Sequence, residues 1–74
     1  VIDGGGRTLM PGLTDCHWHS MAANYSGNAF ALGEGKLNLV AADGAEKTLM
    51  RGFTTIRDMG GNVFDLKSVI DEGK

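Results

Sequence analysis

The segment Leu9-Met10-Pro11-Gly12-Leu13-Thr14-Asp15-Cys16-His17-Trp18-His19 places two histidines one residue apart at the end of an apolar run. Along a β-strand successive side chains alternate faces, so Leu13, Asp15, His17 and His19 share one face and Thr14, Cys16 and Trp18 share the other. Two imidazoles one strand repeat apart can grip a single metal ion, and neutral imidazole is a good zinc ligand. Asp15 sits two positions deeper, a place suited to orienting an imidazole rather than sharing the metal. Cys16 and Trp18 read as packing residues on the opposite face. The histidine pair alone is not a site, because catalytic zinc takes three protein ligands plus water and structural zinc takes four.

Working outward from this strand, Pro11-Gly12 redirects the chain into it. Upstream, Val1-Ile2-Asp3 and Arg7-Thr8-Leu9-Met10 flank Gly4-Gly5-Gly6, the pattern of a tight hairpin. Downstream, Ser20 to Lys36 is polar and without period, and reads as a long loop in which Phe30-Ala31-Leu32 packs locally. Asn24, Tyr25 and Asn28 read as its polar surface. Leu37, Val40, Ala41, Gly44, Ala45, Thr48 and Leu49 then form one stripe of an amphipathic helix. Asp43 and Lys47 lie off that stripe as an i, i+4 pair, and Gly52 stops the helix.

Phe53-Thr54-Thr55-Ile56-Arg57 is β-branched and aromatic, which predicts a second strand. Asp58-Met59-Gly60-Gly61 ends it. A second helix is expected from Val63 to Glu72, with Asn62 as N-cap, Gly73 as stop, and Val63, Leu66, Val69 and Ile70 on one face. The order hairpin, strand, helix, strand, helix predicts an α/β unit with parallel strands joined by a right-handed crossover and covered on both faces. Both loops that follow carboxyl ends of strands lie where parallel α/β folds place their sites. Arg57 and Asp58 close the second strand. Either could reach a substrate group or brace a ligand, but a structural ion pair or turn stabiliser is the favoured reading. Gly60-Gly61 matches neither common phosphate-loop spacing and reads as turn chemistry.

Composition narrows the partners. A chain of 74 residues is at most one small domain, and a chain this size buries only roughly 60% of its unfolded surface. The seven Lys and Arg residues are scattered and the net charge is −2, so no basic patch is available for nucleic acid. No apolar run approaches the roughly 18 residues that would span a membrane. The single cysteine excludes an intrachain disulfide framework. With no signal-like segment in the sequence, a cytoplasmic location is favoured.

The segment Leu9 to His19 resembles the Pro-Gly-x-x-Asp-x-His-x-His signature of the metal-dependent amidohydrolase superfamily. Arg51-Gly52-Phe53-Thr54-Thr55-Ile56-Arg57-Asp58-Met59-Gly60-Gly61 is similar to the second-strand segment of its imidazolonepropionase- and prolidase-like branch. The resemblance implies the first two βα units of a (β/α)₈ TIM-type barrel. Residues 1–12 would be the end of a small β-sandwich and the entry to the barrel, and residues 13–74 its first quarter. It implies that His17 and His19 bind a divalent metal, zinc, in a centre of one or two ions. The metal polarises an amide, peptide-like or cyclic amide carbonyl and activates a water for attack. The partners implied are a small-molecule or peptide-like substrate and either further copies of the chain or the remainder of a parent chain.

The family's other ligands are a bridging carboxylated lysine or acidic residue and two further histidines, and an aspartate serves as base. All lie on later strands, and no residue of this sequence matches them: Lys36, Lys47, Lys67 and Lys74 fall in loop or helix positions. A complete barrel needs roughly 250 residues. These residues are therefore expected to be the inactive amino-terminal part of a hydrolase. The alternative is a non-catalytic metal-binding or assembly module completed by a partner chain. Either way the chain is expected to be stable only with other copies or with the missing portion. Calorimetry and sedimentation should show no cooperative transition for a monomer at low micromolar concentration; a cooperative transition with a monomeric mass would refute this.

Overall fold

Leu13–Trp18 (β1) and Phe53–Asp58 (β2) pair in parallel in a computed structural model of the chain. Between them the 17-residue helix Glu34–Met50 (α1) makes the crossover, and Phe64–Asp71 (α2) follows β2. A 3₁₀ turn, Ala29–Ala31, precedes α1. The description covers residues 1–74 except for the side chain of Phe30.

The apolar stripe predicted for α1 faces inward along most of its length. Ala41 is 1% exposed and packs with Met21 and Leu66, while Leu37, Ala45 and Val63 lie against this cluster. Leu49, the last residue of the stripe, stands out in solvent. The helix begins three residues before Leu37, at Glu34, with Gly33 as an N-cap that makes no side-chain bond. That first turn contains Gly35 and Lys36 and carries no apolar period, so the sequence pattern reads it as loop. Asp43 and Lys47 form the expected pair at 2.6 Å, and Asn24 donates to the same carboxylate at 2.8 Å. The segment after β1 is thereby tied to the solvent side of α1.

At the carboxyl end of α1 the Gly52 N–H donates to the Leu49 carbonyl, and the Gly52 carbonyl accepts the Leu13 N–H at 2.8 Å. The helix stop is therefore also the entry to the strand pair. Gly12 lies against the side chain of Thr54, which a Cβ at that position would strike. Only glycine lets the backbone pass so close to that side chain at the start of the sheet.

Three expectations are corrected. Residues 1–12 form no hairpin: a turn remains, with the Arg7 N–H on the Gly4 carbonyl and the Gly5 N–H on Asp3, but no strand flanks it. Val1, Ile2 and Leu9 are fully open to solvent, and an isolated two-stranded ribbon with no face to bury is marginal in water. Asn62 does not cap α2, because Val63 occupies the cap position without a side-chain bond. Cys16 is exposed rather than buried, as is Thr14 on the same face, because that face of the two-stranded sheet is incompletely covered.

The carboxyl end of α2 follows expectation. The Gly73 N–H donates to Ile70 and the Lys74 N–H to Val69, the double closure of a Schellman motif. On its inner face only Leu66 is buried; Val69 and Ile70 remain exposed. Coverage of the sheet on both faces is incomplete as well, with Leu13 43% and Ile56 38% exposed.

Because one buried side chain anchors α2, Leu66→Ala should cost about 2 kcal/mol or more. Hydrogen exchange should then show α2 amides opening while the β1–β2 ladder keeps its protection. Equal loss of protection in both would show that the core is not divided in this way.

Candidate metal centre

His17 lies near the end of β1 and His19 one residue beyond it. Their ring centroids are 5.2 Å apart with planes at 75°, so the two imidazoles meet on one side of the chain as the strand reading requires. Two imidazoles held tetrahedrally by one zinc at roughly 2.0–2.1 Å have centroids about 5 Å apart. The same separation and tilt are those of an ordinary edge-on ring contact. Among the described residues no group of three His, Cys, Asp or Glu side chains could hold a metal.

The strand beneath the rings is irregular. Asp15 pairs with Ile56 and Trp18 with Asp58, three steps along β1 against two along β2. Within that interval the backbone finds side-chain partners. The His17 N–H donates to Asp15 Oδ1 at 3.0 Å, and Arg57 Nε donates to the Cys16 carbonyl at 2.6 Å. Asp15 therefore braces the backbone of His17, where a bond to an imidazole was expected. Arg57 serves as a cross-strand tie. A side chain that satisfies a displaced backbone group keeps a bulged segment from slipping.

Asp58 is the turn stabiliser that the structural reading anticipates, with no ion pair to Arg57 among the described residues. Its Oδ1 accepts the Gly60 N–H at 3.0 Å, closing an Asx turn at the end of β2. Its Oδ2 accepts the Ser20 N–H at 2.9 Å, reaching across to the residue after His19. The Met59 N–H donates to the Trp18 carbonyl beside it, at 2.9 Å. Partial burial works to raise the Asp58 pKa, yet the N–H groups of Gly60 and Ser20, the Ser20 hydroxyl and the charge of His19 outweigh it. The carboxyl is held below its ordinary 3.8.

His19 opens onto a cleft of about 440 Å³ at the carboxyl ends of the strands. Met21, Ala22, Ala29 and Leu37 give it apolar walls, and Gly60-Gly61 form its rim. On the other side of the segment Trp18 is half-buried toward α1, next to Gly44, Thr48 and Arg51, as its packing role predicts. Sequence reasoning missed Ser20, whose contribution is a backbone N–H and leaves no mark in residue type. The Asp-x-Gly spacing of Asp58 and Gly60 is a readable Asx-turn signal.

No family profile, curated protein or solved structure matches the chain. No helix among the described residues is long and apolar enough to cross a membrane.

A depressed folded-state pKa means that the Asp58 bonds contribute stability above the unfolded value and lose it as pH falls through the folded one. The amide protons of Ser20 and Gly60, both bonded to this carboxyl, report its protonation. Their shifts should move together with a midpoint under 3.8, read by NMR. Separate midpoints, or a shared one above 3.8, would contradict the arrangement.

Proposed function

We propose that this chain is the amino-terminal portion of a metal-dependent amidohydrolase barrel, in which His17 and His19 supply two ligands of a divalent ion, zinc. The observation that carries the reading is the imidazole pair, its rings 5.2 Å apart at the carboxyl end of a parallel strand. Parallel barrels build their sites at that end of the strands. The apolar cleft beside His19 adds the kind of concavity in which a small-molecule or peptide-like substrate binds. When bound, the ion would supply activated water for hydrolysis of an amide, peptide-like or cyclic amide bond.

The remaining donors would come from elsewhere, from later strands of a parent chain or from another copy. Parallel sheets are covered on both faces, and exposed Leu13 and Ile56 suit a sheet awaiting such neighbours. The lack of a third donor among the described residues also favours a second reading, a metal-binding or assembly module whose site a partner chain completes.

Equilibrium dialysis with zinc separates the two. The enzyme reading expects weak uptake of one ion per chain, abolished by either His17→Ala or His19→Ala, and no amide hydrolysis by the chain alone. Tight stoichiometric uptake would favour the module. Uptake that survives both substitutions, or no uptake at all, would remove the imidazole pair from the function.

A further inference from the structure

The geometry points to Asp58 as a positioning residue for His19: its carboxylate fixes the orientation of the peptide unit that follows the ligand. This inference rests on the reading of His19 as a metal ligand. The peptide between His19 and Ser20 is held from both sides. Its N–H donates to Asp58 Oδ2 at 2.9 Å, and its carbonyl accepts the N–H groups of Ala22 at 3.1 Å and Ala23 at 2.9 Å. The peptide before His19 is held as well, its Trp18 carbonyl accepting the Met59 N–H at 2.9 Å, and with both planar units fixed ψ of His19 and the direction of its Cα–Cβ bond are set. On the other side of the pair, Asp15 holds the His17 N–H at 3.0 Å. Two carboxylates thus act on the backbones of the two imidazole residues.

The same Asp58 carboxylate takes the Gly60 N–H at 3.0 Å, which places the Gly60-Gly61 rim opposite His19. Gly61 turns there with φ +110°, and a Cβ on Gly60 would stand 4.0 Å from His19 Nδ1. One side chain therefore sets the ligand-bearing loop and the loop facing it. Asparagine cannot make both bonds in place, because the two N–H groups use different carboxylate oxygens and one of these becomes an NH2 donor.

The test is Asp58→Asn in the full chain, read by NMR before any metal is added. The expected result is loss of the His17–His19 inter-ring NOE while the Leu13 and Met59 amides stay protected in the strand ladder. Zinc affinity should also fall by about tenfold or more. An NOE that persists once the Ser20 amide is released overturns the assignment, as does unchanged zinc affinity when the rings have moved. Should Asp58→Asn fail to fold, chemical synthesis of the chain with an ester in place of the His19–Ser20 amide removes that single donor and leaves Asp58 intact. The NOE should again be lost, and its survival refutes the role. Absence of zinc uptake by the unaltered chain would instead defeat the metal reading, and the metal-free ring contact would still judge the positioning role.

Discussion

Parallel pairing of Leu13–Trp18 with Phe53–Asp58 is the constraint from which the rest of the structure follows. Two parallel strands cannot be joined by a tight turn, so the chain must cross from the carboxyl end of one to the amino end of the other. Here α1 makes that return, and its final turn hands the Gly52 carbonyl directly to Leu13. The crossover leaves both outgoing loops at one end of the sheet. His19 lies in one and Gly60-Gly61 in the other, so the cleft between them is a product of topology before it is a product of side chains.

The charged residues near that end serve the backbone. Asp15, Arg57 and Asp58 each bond a main-chain group, and two of these bonds lie where the strand register shifts. A register shift in a two-stranded sheet frees N–H and carbonyl groups that a regular ladder would use, and unpaired groups of this kind are costly once water is excluded. Satisfying them with acids and an arginine lets the irregularity persist. The imidazoles stay on a common side despite it.

Much of this was legible from residue order. The strand–helix–strand–helix succession, the buried face of α1, the Asp43–Lys47 pair and the Gly73 stop all follow from local period and local chemistry. The meeting of His17 and His19 followed from simple alternation, although the strand that carries them is not regular. What alternation could not supply was the register shift, because it arises between strands 35 or more residues apart in the chain and has no signature within either. Cys16 was misplaced because burial of its face needs covering elements that two strands and two helices do not supply. The hairpin over residues 1–12 failed for a different reason: a glycine turn specifies a bend, but strands form only when a neighbouring surface takes up their apolar side chains. Asn62 had the chemistry of an N-cap, yet Val63 takes the position without a side-chain bond.

The core is too small to hold a site in place by packing. Met21, Ala41 and Leu66 form its buried centre, and ordering each residue of a chain costs roughly 1–2 kcal/mol of backbone entropy. Rigidity at the carboxyl end must then come from local geometry, and the hydrogen bonds around His19 supply it where it is needed. The peptide after His19 is bonded at both its N–H and its carbonyl, while Leu13 and Ile56 lie open on the sheet. The His19 segment is therefore ordered by its own hydrogen bonds and not by the packing of the sheet that carries it.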